Sequence, residues 1–424
     1  MRAFRASFLA LGAGIALLVA LPALLPAGLL NASVQMLVAA LFASAYGLLA
    51  GRAGMLSFGH AAYFGAGAFA TVHAMNAFGG AGLLPTPLLP LVGAAMGLAV
   101  GTLAGWFATQ RSGTAFAMIT LAIAELLHAL APQLKGWFGG EAGLSTMRMP
   151  AWGLDFGSTT QVYYLTLAWV LLSLALLYFH GLTPLGRLTL ALRENPQRLR
   201  FLGYEVHGLG VSAFAISSMF SGIAGSLLAI GNEAANYALF DAGVSAAVVL
   251  NSTIGGVGSF LGPALGAALM TFFGYAVSDA TRSWLLYQGV LFVAVMMFMP
   301  QGLTGVLAIL AVLSAQVLSG LFANDEIAFS GPLARWVSDD TSIWLTGKHR
   351  LLAYGVYALL GLHVLAIGAY RFIKREDLVT PMVLGHQTVS TEVAAPAAAP
   401  RWAFPLAIFG AAAAAVLASG LWPR

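Results

Sequence analysis

The chain has 424 residues, of which 60% are hydrophobic and only 8% are charged. Soluble domains average about 45–50% apolar and about 25% charged residues, so this composition excludes a soluble globular protein. Cysteine is absent, which excludes disulfides, thiolate metal sites and cysteine nucleophiles. The formal net charge of +4 is better explained by short basic loops that set membrane topology than by nucleic-acid binding.

Apolar runs of about the 20 residues that cross a bilayer recur along the chain, and without a barrel-like alternation these spans must be helices. The first run follows Arg2 and Arg5 and ends in no small-residue cleavage site, so it is predicted to be a retained helix. In chain order, helices are predicted at 8–29, 31–51, 59–78, 88–108, 113–132, 161–180, 211–231, 244–277 (broken), 284–301, 303–323, 351–372 and 402–421. The predicted fold class is all-α, a polytopic membrane bundle with broken or re-entrant helices and about three extra C-terminal transmembrane helices.

Two glycine-rich segments interrupt these spans: MLSFGHAAYFGAGAFA at 55–70, and IGGVGSFLGPALGA at 254–267. Helix breaks at membrane depth persist only where protein or a water-filled cavity covers the freed polar groups. Two such breaks far apart in sequence are typical of a transporter whose pathway lies between bundles, although plain close packing explains any single glycine better. The candidates for the pathway or the breaks are Ser57, Gly59, His60, Gly65, Gly255, Gly256, Gly258, Gly262 and Pro263.

His60 is an ionisable residue inside an apolar segment. Such a residue is by default a functional hypothesis, because it faces a cavity or a partner. The alternative is a histidine that caps or packs the helix at the break, and both interpretations stay open from the sequence.

The segment GLTPLGRLTLALRENPQRLRFLGYEVHGLG, between the predicted helices 161–180 and 211–231, is the densest basic stretch of the chain. The positive-inside rule therefore places it in the cytoplasm. Its leucines alternate with charged residues as in a short amphipathic helix, which Gly203 ends. This pattern favours a docking surface for a soluble partner. An ordinary solvated loop would explain the charges but not the apolar stripe.

Beyond residue 305 the pattern changes. An acidic loop lies between the helices 303–323 and 351–372, and basic residues follow the second of them, so these helices are predicted to run out of the membrane and back. TEVAAPAAAP is a low-complexity linker before the last apolar segment. The predicted domains are 1–308, 309–390 and 391–424.

His349 and His363 are 14 residues apart in a predicted helix. That separation is nearly four turns and places both side chains on one face, about 21 Å apart along the axis. This spacing suits two haems stacked across a membrane, each of which takes one imidazole from this helix and one from another.

Several motifs together resemble the LivM-type permeases of branched-chain amino acid ABC transporters, in the right order over about 1–308. They are LSFGHAAYFGAGAFA, RSGTAFAMITLAIAELLH, GGEAGLS, TPLGRLTLALRENPQRLRFLGYEV, IGGVGSFLGPALGA and FMPQGLTGVL. The resemblance implies an inner-membrane permease subunit that moves branched-chain or similar small apolar amino acids inward by alternating access. It also implies four partners: a second permease subunit, two cytosolic ATPase subunits and a periplasmic binding protein. Membrane lipid surrounds such a subunit, and no nucleic acid is involved.

The same resemblance implies that the 183–205 loop couples the permease to an ATPase. The residues assigned to this coupling element are Gly186, Arg187, Arg193, Glu194, Asn195, Arg198 and Gly203. The chain has no GxxxxGK[ST] phosphate loop, so ATP hydrolysis is expected in a separate chain and this subunit is not expected to be an enzyme. The permease part needs no cofactor.

The stretch SGLFANDEIAFSGPLARWVSDDTSIWLTGKHRLLAYGVYALLGLHVLAIGAYRFIKREDLVTPMVLGH resembles the C-terminal half of bacterial di-haem cytochromes b of the hydrogenase type. Those proteins carry the partner histidines on two earlier helices, which have no counterpart before residue 306. His60 and His73 are 13 apart but belong to the permease motif. On the basis of this resemblance, the alternative function is a b-type cytochrome with haem iron held by His349 and His363. The third interpretation is a hybrid of two halves that do not cooperate.

Overall fold

A computed structural model describes residues 2–79, 84–278 and 337–350, and the positions 288, 289, 291–293, 295, 302, 319, 322, 324 and 353. The chain divides into two compact units, Met1–Thr304 and Gly305–Arg424, each of which is described by itself. Most of the predicted helices 284–301, 303–323 and 351–372, and all of 402–421, lie outside the described residues.

The first unit is a bundle of helices with one short two-stranded ribbon. Its helices are α1 (Arg2–Leu24), α2 (Ala27–Gly47), α3 (Ala61–Ala74), α4 (Leu89–Ala108), α5 (Thr114–Leu130), α6 (Lys135–Phe138), α7 (Thr159–Leu182), α8 (Pro184–Glu194), α9 (Pro196–Phe201), α10 (Val206–Asn232), α11 (Ala242–Gly255) and α12 (Gly262–Ser278). The strands β1 (Leu144–Ser145) and β2 (Ala234–Ala235) pair antiparallel. The α-helices α2 and α3 continue as π-helical turns over Leu48–Arg52 and Met75–Gly79.

Four of the described helical segments are long and apolar enough to cross a membrane: Ala27–Arg52, Thr86–Ala108, Thr159–Leu182 and Val206–Asn232. The apolar helix pair Thr114–Leu130 and Lys135–Ala142 is bent by 95° at a short break, as in a broken span or a re-entrant loop. The predicted segment 244–277 is broken, as expected, into α11 and α12. The all-α polytopic bundle with broken helices is therefore confirmed.

The centre of the bundle is the contact of α10 with α3 and α4, where glycines replace bulky side chains. A Cβ atom added to Gly222 of α10 would collide with the backbone of α4 at Gly93 and Gly97. One added to Gly225 would collide with the carbonyl of Phe64 in α3. Backbones that touch in this way pack closely without a hydrophobic driving force in lipid. The position of α3, and of the glycine-rich segment before it, is fixed by this contact.

The two ends of α10 differ in their neighbours. At its C-terminal end, the backbone N–H of Arg148 donates to Glu233 Oε1 (2.8 Å), and the Arg148 guanidinium pairs with the same carboxylate at 3.3 Å. The N-terminal end follows α8 and α9, with their basic residues. The positive-inside rule therefore assigns the α8–α9 end to the cytoplasm and the β1–β2 end to the outer face.

Candidate functional site: the helix breaks and the α8–α9 surface

His60 lies at the start of α3 and is fully buried. Its Nδ1 atom is 3.0 Å from Ser57 Oγ, and its Nε2 atom is 2.8 Å from Ser217 Oγ of α10. The Ser217 hydroxyl donates to the carbonyl of Ala45 (2.7 Å) in α2, so it accepts from His60 Nε2–H. Ser57 therefore donates to Nδ1. Each ring nitrogen of His60 has a partner, and the network joins α2, α3 and α10.

Aromatic rings enclose the same imidazole. The rings of Tyr46, Tyr63 and Phe214 stand edge-on to it, with centroids 5.2, 5.5 and 5.8 Å away. Neither cavity described below is lined by His60. This environment matches the helix-packing interpretation of His60, and a role in transport remains a prediction.

The break before α3 leaves backbone groups that polar side chains satisfy. The N–H of Phe58 donates to Thr120 Oγ1 (3.2 Å) of α5, and the N–H of Ala61 donates to Ser245 Oγ (2.9 Å) of α11. A Cβ atom on Gly59 would collide with the carbonyl of Thr120, which is why this position requires glycine. Gly65, one turn into α3, packs against the ring of Phe240. Protein side chains therefore satisfy the backbone N–H groups that the break leaves at Phe58 and Ala61, as a membrane interior demands.

The second break lies between α11 and α12. Gly256 adopts φ +100°, a conformation that favours glycine, and ends α11. The backbones at Gly255 and Gly262 are in direct contact, and Pro263 packs on Gly47 of α2. A small cavity of about 80 Å³ lies beside Gly258, between this turn and Arg52. The turn therefore folds back on itself tightly enough to exclude any larger side chain at Gly255.

The predicted amphipathic helix is two helices, α8 and α9, which side-chain caps separate. Thr183 Oγ1 accepts the N–H of Gly186 (3.1 Å) at the start of α8. Asn195 Oδ1 accepts the N–H of Arg198 (2.9 Å) at the start of α9. Pro196, at the first position of α9, cannot continue the hydrogen bonds of α8. After α9, Gly203 takes φ +85°, and the chain turns into α10.

Two arginines attach this element to the cytoplasmic end of α2. The Nη2 atom of Arg52 donates to the carbonyls of Gly181 (2.9 Å) and Gly186 (3.4 Å). In the other direction, Nη1 of Arg193 donates to the carbonyl of Gly51, and the side chain of Arg193 packs on Gly54. Sequence reasoning did not single out Arg52, although a lone arginine at the end of an apolar run was a usable signal. A movement of α8 would therefore be transmitted to α2.

The outer side of the α8–α9 element is both apolar and charged. Phe201, Leu202 and Tyr204 are 90%, 65% and 45% exposed. The three charged residues of the predicted coupling set that make no anchoring bond, Arg187, Glu194 and Arg198, are exposed as well. Leu192 and Leu199 are buried beneath them. Exposed aromatic side chains with charges around them are typical of a protein-docking surface.

The described residues add no support to a haem site. Nδ1 of His349 is 3.3 Å from Ser319 Oγ, and His363 lies outside the described residues. In the part of the chain that the structure describes, no group of three or more metal-ligating side chains is found. His73 Nε2 is bonded to the carbonyl of Trp137 (2.7 Å), and His60 has both ring nitrogens engaged. Both histidines therefore have hydrogen-bond partners within the first unit.

The bundle and its breaks define the class of the molecule: a multi-pass helical membrane protein. A family model described as the permease component of branched-chain amino acid transport systems matches residues 7–300, so the chain belongs to this family of permeases. It resides in the bacterial inner membrane, as its permease relatives do. The cytochrome b resemblance finds no counterpart in this match, which ends at residue 300.

Individual relatives support the same assignment. The chain is 28% identical over 313 residues to the high-affinity branched-chain amino acid transport system permease protein LivM of Escherichia coli, covering 68% of this chain and 73% of that protein. It is 28% identical over 309 residues to LivM of Salmonella typhimurium, with coverages of 67% and 72%. It is 26% identical over 263 residues to the xylose transport system permease protein XylH of Escherichia coli, with coverages of 47% and 67%. No solved structure matches the chain.

Proposed function

We propose that the chain is the permease subunit of an ABC importer for branched-chain or similar small apolar amino acids. The complete transporter contains a second permease subunit, two cytosolic ATPase subunits and a periplasmic binding protein. The chain itself does not hydrolyse ATP. The membership of residues 7–300 in the permease family and the anchored α8–α9 surface support this proposal.

The α8–α9 element is the contact through which an ATPase drives the permease. Its backbone is fixed by two side-chain caps and by the bonds of Arg52 and Arg193, so it moves as a body with the end of α2. Its exposed aromatic, Phe201, has the character of a residue that a partner's pocket covers. Glu194 and Arg198 supply one charge of each sign at this surface, which orients the partner more than it adds affinity.

The two helix breaks belong to the part of the bundle that rearranges in alternating access. The turn at Gly256 lies against the π-helical turn that continues α2, through Val257 and Gly51, and His60 at the other break lies against the ring of Tyr46 in α2. Motion imposed on α2 through Arg52 would reach both breaks by direct contact. In this proposal Ser57, Gly59, His60 and Gly65 on one side, and Gly255, Gly256, Gly258, Gly262 and Pro263 on the other, are hinge or pathway residues.

The test replaces Glu194 and Arg198 together by alanine in the transporter expressed with its partner subunits. Both side chains are exposed, so membrane insertion and the amount of folded protein are expected to stay at wild-type values. ATP-dependent amino-acid uptake is expected to fall about tenfold or more, because an interface loses two charged contacts.

The matched control is the double variant D339A/R350A, which also removes one exposed charge of each sign but lies in the second unit. It is expected to transport normally. Normal uptake by a well-expressed E194A/R198A transporter would contradict coupling through this surface.

A further inference from the structure

A cavity of about 570 Å³ lies at the cytoplasmic end of the bundle, beside the α8–α9 element. Its walls come from the loop between α4 and α5, the break before α3, α8, α9 and the first turn of α10. The volume falls within the usual range of pockets that bind small molecules. The proposed coupling contact uses the outer side of α8–α9 and does not use this cavity.

Three arginines line the cavity: Arg111, Arg193 and Arg200. Arg193 donates one of its nitrogens to the carbonyl of Gly51. Among the described residues, the salt bridges involve His128 and Arg148, so none of the three guanidinium groups is paired with a carboxylate. No acidic side chain is found among the described residues of the lining. Within the part of the chain that the structure describes, the lining is therefore cationic and contains no acidic residue.

The start of α5 adds to this positive potential. Gly113 has φ +63° and precedes the helix, and Thr114 at its first position lines the cavity. The helix is 17 residues long, and the free N–H groups of a first turn together with the helix dipole favour an anion. Hydroxyl groups of Ser112 and Thr114 lie in the same lining. The chemistry is that of a phosphate-binding site.

Apart from Thr109 and Gln110, the rest of the lining is apolar, which a site for a free ion does not need. Met55, Leu56, Phe58 and Phe116 form this part of the wall, and Leu56 is 46% exposed. The cavity lies where α4 ends, directly after Phe107, an apolar side chain that is 65% exposed. An anionic headgroup beside apolar walls at the membrane boundary matches a phospholipid in the inner leaflet.

We propose that this cavity binds the phosphate headgroup of an anionic phospholipid. Arg111 and Arg200 hold the phosphate from two sides, the α4–α5 loop and α9. Since Arg193 is also bonded to α2, the lipid would join the α4–α5 loop to the proposed coupling element. A membrane rich in anionic lipid would then stabilise the α8–α9 element in its anchored position.

The experiment measures lipid binding to the purified, delipidated full chain by native mass spectrometry and by the rise in Tm on titration. The probes are phosphatidylglycerol, phosphatidylcholine, glycerol phosphate and inorganic phosphate. Phosphatidylglycerol is expected to bind and to raise the Tm, because a ligand that binds the folded state stabilises it. Phosphatidylcholine and the two soluble anions are expected to give no comparable effect.

The variant R111Q/R200Q is expected to bind phosphatidylglycerol at least about tenfold more weakly than wild type. The variant R111K/R200K keeps both charges and is expected to retain most of the binding. The control R187Q/R198Q removes two charges from α8 and α9 outside the cavity and is expected to bind lipid like wild type. Should R111Q/R200Q not fold, R200Q alone changes a single exposed residue and carries the same test.

Three results would overturn the proposal. Unchanged phosphatidylglycerol binding by R111Q/R200Q would show that the lipid binds at another site. Equal stabilisation by glycerol phosphate would make this a site for a soluble anion. No lipid binding by the wild-type chain would indicate that the arginines pair instead with carboxylates of a partner protein. The assay contains no ATPase, so its outcome is independent of the proposed coupling function.

Discussion

The α4–α10 contact and the α8–α9 element hold their positions by opposite means. Between α4 and α10, side chains are absent, and the backbones at Gly93, Gly97 and Gly222 touch. At α8–α9, long side chains reach across: Arg52 and Arg193 bond to carbonyls of the other segment. The first contact tolerates no added atom, whereas the second leaves large apolar side chains in solvent. Packing explains the first region completely. Packing does not explain why the α8–α9 element carries large apolar side chains on its exposed side.

The largest effect is expected from G222A. The added methyl group would collide with the backbone of α4, which cannot move aside as a flexible side chain does. Since α10 must then shift and the bundle is overpacked, the cost is expected to exceed about 3 kcal/mol. The measurement is the folded fraction by fluorescence-detected size exclusion, together with the Tm. G14A is the matched control, because a Cβ atom there meets nothing within 4 Å. A wild-type Tm for G222A would show that this contact is looser than described.

A smaller loss is expected from H60A. The variant leaves a buried gap and removes the bonds of Ser57 and Ser217 to the ring, which costs about 1–3 kcal/mol. H73A is the control, since His73 is only half-buried and has a single bond, to Trp137. Uptake is then measured per amount of folded transporter. Uptake that stays normal on this scale means that His60 only packs α3, whereas a loss beyond the loss of fold would give it a part in transport.

The smallest effect on stability is expected from F201A. Its ring is 90% exposed, so the free energy of unfolding is expected to change by less than about 0.5 kcal/mol. ATP-dependent uptake is nevertheless expected to fall, because the partner ATPase loses an aromatic contact. F179A, an exposed phenylalanine of α7, is the control that keeps both quantities unchanged. A stable F201A variant with full uptake would contradict the assignment of the exposed α8–α9 residues to partner binding.

The α8–α9 element also shows how far sequence patterns reach. Its existence, its basic character and its end at Gly203 were predictable from alternation, charge and glycine. Its division at Asn195 and Pro196 was missed, because the apolar stripe continues across the break. The anchoring by Arg52 was missed because Gly181 and Gly186 are more than a hundred residues away along the chain.

The sequence by itself showed that the chain is a membrane protein, that its spans are helices, where those helices are broken, and which family it resembles. These features are predictable because hydrophobic length, charge bias and local motifs are properties of short stretches of chain. Only the tertiary structure decided which groups contact His60, since its partner Ser217 lies 157 residues away and is one of several serines in an apolar helix, none of which carries a local signal. The same holds for the cavity between Arg111 and Arg200, which exists because the α4–α5 loop and α9 face each other across it. Contacts of this kind depend on the packing of whole helices, and no local pattern of residues encodes them.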